Sequence, residues 1–325
     1  MTTPETAATL DDHPHGGELF LRRLRILCAL AVAAAIFWHV GWWAVKPVDP
    51  QGPISLLLVD QGVVTMAQLL GLAIVTSGLA VAICGAGSGD RGPLAIAVGL
   101  ATLGLRGAQL DRLVLYRLTV SPAPGASVDP FPTWSLIAEC WLWLALIAVG
   151  FVAGRWVESW FANERGRDRA GGIQSRNPAD VRYGIGVTIV TGLVAWAIFS
   201  HAIGDGVAPI LKGQVYFSVG LAFLVGALVA RACFRVSAAV WAIVAIPLVV
   251  VVAYLVGGPS AASVLAACKA GTYLNISAVA RPLPVEFAAM GAVGVLLEPD
   301  ARSFLHALFG FSSSEKPQSA IPAQR

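Results

Sequence analysis

Residues Val236–Val256 read VSAAVWAIVAIPLVVVVAYLV and contain no charged side chain. A helix gains about 1.5 Å per residue, so about 20 apolar residues cross a hydrocarbon core about 30 Å thick. This stretch meets that requirement. Windows of the same kind lie at Ile26–Val45, Val63–Gly85, Gly92–Ala108, Trp134–Gly154, Tyr183–Gly204 and Gly213–Ala230. The expected fold is therefore all-α: a polytopic transmembrane helix bundle of about seven spans, with limits of six and eight. The third window is the shortest. Arg106, Asp111, Arg112 and Arg117 crowd its far end, so that helix either continues past the interface or re-enters.

Composition points the same way. Of 325 residues, 57% are hydrophobic and 13% charged, and mean hydropathy is +0.73. A soluble domain carries roughly a quarter charged residues and needs polar cover for its surface. The natural solvent is a bilayer, the first expected partner of the chain. Net charge is only +3, from 22 Lys and Arg against 19 Asp and Glu, too even and dispersed for a nucleic-acid footprint. Cys28, Cys84, Cys140, Cys233 and Cys268 lie far apart in apolar surroundings, which argues against a disulfide framework or a zinc site.

Four regions follow: residues 1–21 as a polar cytoplasmic tail, 22–258 as the bundle, 259–311 as a small-residue-rich, partly amphipathic region, and 312–325 as a disordered tail. In the third, Pro259–Ala280 is interrupted by Lys269 and Asn275, and Val285–Leu297 is short for a crossing. An eighth helix, a pair of interfacial segments and a small outer domain all remain open. Arg22, Arg23 and Arg25 precede the first apolar run, and Trp38, Trp42 and Trp43 sit where a cleavage site would be sought, so an uncleaved first span is expected.

Arginines set the expected orientation. Arg91, Arg155, Arg165, Arg167, Arg169, Arg176, Arg182, Arg231 and Arg235 join the first three on one side, against Lys46, Arg106, Arg112, Arg117 and Lys212 on the other through the seventh span. An amino end in the cytosol, in a bacterial inner membrane, is the corresponding expectation. Small residues form two stripes suited to close helix approach: Ser218, Ala222, Gly226 and Ala230 every four residues, and Gly71, Gly78 and Gly85 every seven. Ser121–Pro132, with four prolines, reads as a stiff outer link, and the loop from Arg155 to Arg182 as a basic inner one with Trp156 and Trp160 at headgroup level.

Polar groups at membrane depth need a partner or a purpose. His39, Gln68, Arg106, Glu139 and His201 all fall in the outer half of their helices and form a candidate intramembrane polar cluster. Contact between Glu139 and Arg106 is expected, either as a structural pair or as a proton or solute site. His39 and His201 at similar depth admit a haem or metal ligand pair, although no metal site is assigned and no cofactor is expected. His13, His15 and His306 read as solvent-facing. Gly85–Asp90 lacks the Lys-Ser/Thr ending of a phosphate loop, and no GxSxG or HExxH motif occurs.

An integral membrane protein acting as a non-enzymatic accessory, assembly or scaffold subunit is the leading expectation, with other membrane subunits or a second copy as partners. A small-solute or proton-coupled transporter or channel built around Glu139 and Arg106 is the alternative. A haem- or metal-binding redox protein using His39 and His201 is the third.

Overall fold

The computed structural model describes residues 16–47, 52–56, 62–85, 88–119, 131–164, 178–203, 211–234, 239–270 and 276–309. Within them the chain forms twelve α-helices and no named strand. Helix α1 (Gly16–Ile36) passes through a π-helical turn (Phe37–Gly41) into α2 (Trp42–Val45), making one continuous first span. Then follow α3 (Gly62–Cys84), α4 (Arg91–Arg106), α5 (Leu110–Thr119), α6 (Thr133–Glu164), α7 (Pro178–Ile203), α8 (Lys212–Phe234), α9 (Ala239–Gly257), α10 (Ala261–Ala270), α11 (Pro284–Leu296) and α12 (Glu298–Phe309).

Six of the passages are long and apolar enough to cross a bilayer: α1–α2, α3, α6, α7, α8 and α9. They are helical because no water is present in hydrocarbon to satisfy open backbone groups. Their outer faces present large apolar side chains such as Val75, Val152, Leu193, Phe217 and Leu255. A surface of that kind suits lipid and would be untenable in water. The chain is an integral membrane protein of the all-α, multi-pass class.

The interior is built from two shorter helices. Helix α4 has 16 residues and α11 has 13, roughly 24 and 20 Å in length. Both are buried almost throughout, and they pack on one another, with α1, α3 and α6 around α4 and α6, α8 and α9 around α11. Both are shorter than the six long passages and lie among them, so the bundle has six helices of spanning length around two short interior ones. The region 259–311 thus supplies its central helix as well as a surface helix. Of the region whose placement the sequence left open, the described residues include a buried 13-residue helix, α11, and the mostly exposed α12.

Glycines permit this crowding. A Cβ on Gly92 would lie 2.9 Å from the carbonyl oxygen of Gly150, and one on Gly150 would lie 3.0 Å from Cα of Pro93, so α4 and α6 meet backbone to backbone. Gly294 of α11 is as tight, with a Cβ falling onto the carbonyl of Gly220 and 2.9 Å from the amide of Leu224. The stripe Ser218, Ala222, Gly226 and Ala230 covers the α8 surface, with Gly226 closing on α7, 2.7 Å from Thr191 O to a built Cβ.

The other stripe makes no such seam. Gly71 faces open space, Gly78 has one ordinary contact at 3.7 Å with Val157, and Gly85, at φ 89°, lies just past the end of α3, its amide bonded to Val81 O at 2.8 Å. It is a helix stop of the usual left-handed kind. Helix α3 packs instead through Ala73, Thr76, Ser77 and Ala80.

The two ends of the bundle differ. One, the arginine face, carries Arg22, Arg23, Arg25, Arg91, Arg155, Arg182 and Arg231. Two ion pairs fasten α12 there: Arg91 to Asp300 at 2.6 Å, and Arg231 to Glu298 at 2.7 Å. Trp156 and Trp160, tilted at 4.9 Å, lie beyond the apolar part of α6. At the opposite face, the segment 52–56 is tucked into the bundle, Gly52 O accepting from Ala108 N at 3.1 Å. The proline link up to residue 130 and the basic stretch 165–177 lie outside the described residues, as do the tail from 310 and His13 and His15.

Candidate functional site

Glu139 lies on α6 about 9 Å in from the start of that helix at Thr133, at the face opposite the arginines. It is 1% exposed. Three donors converge on its carboxylate: Ser55 Oγ at 2.7 Å and Leu56 N at 2.9 Å from the tucked segment, and Trp143 Nε1 at 3.1 Å from the next turn of α6. All three are uncharged. Every acceptor oxygen has a proton directed at it, while no counter-ion joins the set among the ion pairs of the described residues.

A second carboxylate lies nearby in the interior. Glu286, the third residue of α11, is 3% exposed. Its Oε2 accepts from the amide of Leu283 at 2.9 Å, capping the start of α11. Its Oε1 stands 3.3 Å from Lys212 Nζ. That approach is an ion pair, and the same ammonium, with three protons, also donates to two backbone carbonyls. These are the carbonyls of Gly104, at 2.6 Å, and Gly107. Those carbonyls end α4, where the helix dipole concentrates negative charge and no backbone donor follows. Tyr216, one turn along α8, donates to Ala101 O at 3.0 Å and completes the closure.

Glu139, near the start of α6, and Glu286, near the start of α11, are both buried and differ in company. Aromatic rings lie between their helices: Tyr254 of α9 contacts Phe131 and Phe287 edge-on, at 5.9 and 6.1 Å, and donates to Pro282 O at 2.7 Å. The segment 52–56 is almost wholly buried in protein, and so are most residues of 276–283, Ser277 being the exposed one.

The remaining members of the expected cluster are not drawn into this interior. Arg106 is exposed at the end of α4, donating to Trp38 O at 2.6 Å, with its guanidinium over the rings of Trp42 at 4.3 Å and Trp38 at 5.4 Å. The π turn explains that bond: Trp42 N–H reaches back to Phe37 O, and Trp38 O receives Arg106. Arg106 and Glu139 thus take different partners, in place of the contact expected between them. Gln68 and His39 are exposed, and His201 is exposed with Nδ1 against Ala197 O of its own helix at 2.8 Å. Four of the five, His39, Gln68, Arg106 and His201, are exposed, and Glu139 alone is buried.

Sequence reading missed Ser55, Leu56, Lys212 and Glu286 as parts of the site. A signal existed for each half. The connection Pro53–Val59 is apolar, which is unusual for a solvent loop, and Glu286 is the single charge within Pro282–Leu297. The first described a buried loop; the second marked a functional or structural ion at membrane depth.

Fold and site together define a polytopic membrane protein with two carboxylates in its interior. No protein-family model matches the chain, and neither a curated protein nor a solved structure does.

Proposed function

We propose that this chain is a proton-coupled transport protein of a cytoplasmic membrane in which Glu139 is the exchangeable group. The observation that carries the reading is the contrast between the two carboxylates buried toward the face opposite the arginines. Glu286 has a built-in counter-ion in Lys212, so its charge is accounted for by the fold. Glu139 has only neutral donors. An anion in a low-dielectric interior without a counter-charge is costly, and a bound proton or cation removes that cost. A group that alternates between holding and releasing such an ion is what coupling requires. Two interior helices flanked by irregular backbone also suit a transport site. An accessory or assembly subunit, the reading favoured by the lack of motifs, needs no such residue in its interior.

The arginine face is placed in the cytosol. Arg22, Arg23, Arg25, Arg91, Arg155, Arg182 and Arg231 support this, and the connection between α6 and α7 adds Arg165, Arg167, Arg169 and Arg176. The haem or metal reading through His39 and His201 has its own check: a purified chain without haem absorption and without bound metal removes it.

The test is proton flux into liposomes containing the reconstituted chain, followed with an enclosed pH dye. Glu139→Gln keeps the hydrogen-bonding shape and removes the titratable site. Flux is expected to fall at least tenfold with the melting temperature nearly unchanged. Wild-type flux in this variant overturns the proposal.

A further inference from the structure

A cleft of about 660 Å³ opens at the arginine face, between α6 and α9, with α11 and α8 as its floor. Its volume is within the range of small-molecule sites, roughly 300–1,000 Å³. On α6 its wall runs from Arg155 up to Trp141 along one stripe, a height of about 21 Å. One leaflet of hydrocarbon is about 15 Å thick, so the wall spans a headgroup and the chain below it. Beyond Arg155 the wall is apolar and opens sideways to the bilayer: Trp141 at its deep end is 48% exposed, and Val240, at the arginine-face start of α9, is 54% exposed.

The mouth has a different chemistry. Arg91 and Arg231 are already paired with Asp300 and Glu298. Arg22 and Arg155 also line the mouth, and neither enters an ion pair among the described residues. Glu298 is buried there, 6% exposed; one oxygen takes Arg231, and Oε1 has no hydrogen-bond partner among the described residues. A buried acceptor left open costs about 1–3 kcal/mol unless something donates to it. The mouth, which Asp90 also lines, therefore has Arg22 and Arg155 available for an anion and, just beneath its surface, an unfilled acceptor for a hydrogen-bond donor, beside an apolar slot open to lipid.

We infer that the cleft binds one aminophospholipid of the arginine-face leaflet, its phosphate against Arg155 and its primary ammonium donating to Glu298. A fatty acid has the anion and the chain but no donor. A choline headgroup has no N–H to give. A free phosphoethanolamine has the headgroup but nothing to fill the slot along α6 and α9. This site is separate from Glu139 and does not depend on the transport reading.

The experiment is native mass spectrometry of the delipidated full-length chain mixed with equal amounts of phosphatidylethanolamine, phosphatidylcholine and phosphatidylglycerol of matched chains. The wild type is expected to retain the ethanolamine lipid about tenfold over the choline lipid, the ratio that one charge-assisted hydrogen bond supplies. Glu298→Gln abolishes that preference, and Arg155→Gln weakens retention of all three lipids about tenfold. Ala148→Trp, at an exposed position on the apolar wall, blocks the slot and loses retention without lowering the melting temperature. Equal retention of the three lipids by the wild type overturns the inference. So does an unchanged preference in Glu298→Gln, undiminished retention in Ala148→Trp, or displacement of the lipid by equimolar free phosphoethanolamine.

Discussion

Lys212 shows how much one side chain settles at membrane depth. Its ammonium is shared between Glu286 and the last carbonyls of α4, so it joins the ends of α4, α8 and α11. Glu286→Gln leaves that ammonium without its counter-charge in a nearly dry site. Breaking a buried pair typically costs about 3–5 kcal/mol, so the variant should melt well below the wild type in detergent, where Glu139→Gln should not. A differential scanning measurement on the two variants checks this, and equal melting temperatures would remove the structural role assigned to Glu286.

Asp300 at the arginine face gives a pH dependence of known sign. The bidentate hydrogen bond from Arg91 holds its carboxyl below the usual aspartate range, partly opposed by burial and reinforced by the charges of Arg22 and Arg23. A carboxyl depressed in the folded state stabilises it above the unfolded value, near pH 3.9, and that contribution disappears as pH falls through the folded value. The attachment of α12 should therefore be full at neutral pH and weaken below about pH 4. Asp300→Asn should remove this component, read as a flatter dependence of melting temperature on pH between about 3 and 5. The residue is half exposed, so the slope is expected to be small.

Between elements, packing is decided by where a methyl group would fit. Gly294→Ala drives a Cβ onto the backbone of α8, which cannot rotate away as a side chain can, and a loss of about 1–3 kcal/mol is expected. Gly71→Ala meets open space, and should be neutral or raise stability by up to about 1 kcal/mol through helix propensity. Melting curves of the two variants check the pair; a Gly71 variant as damaged as the Gly294 variant would contradict the packing of α3 described above.

The same scale explains what was legible beforehand. Long lipid-facing helices are marked by uninterrupted apolar runs, and Ile26–Val45, Val63–Gly85, Trp134–Gly154, Tyr183–Gly204, Gly213–Ala230 and Val236–Val256 each overlap a span. Length carries that information because the bilayer imposes it. Helix α11 escapes the criterion: surrounded by other helices, it can be short, and Val285–Leu297 has no lipid boundary to match. Glu139 was legible as a polar residue at depth. Its partners were not, because depth along a helix is set by residue count, whereas facing is set by packing that no single segment contains. Arg106 lies at a depth that suited contact with Glu139, yet a π turn in another helix supplies Trp38 O instead.

For the whole molecule, the place of α11 among the six long spans makes a topological prediction. If α11 traverses the bilayer, Ser277 and Ser303, both exposed, lie on opposite sides. Ser303→Cys should react with a membrane-impermeant thiol reagent from the side that labels Ser159→Cys, and Ser277→Cys only from the other. Labelling of both positions from one side would return the region after 259 to the surface and remove Glu286 from the interior. With the arginine face in the cytosol, Ser303 and Ser159 label from within.

The place of α11 also bears on biogenesis. The helix at the middle of the bundle follows all six long spans in the chain, so it is synthesised after the helices that pack around it. Until it is inserted, the glycine-lined face of α8 and the carbonyl end of α4 lack their mates, and Lys212 lacks its carboxylate. A chain that has not yet added α11 thus lacks the central contacts of its bundle, and incompletely packed species of this kind are the ones prone to misassembly.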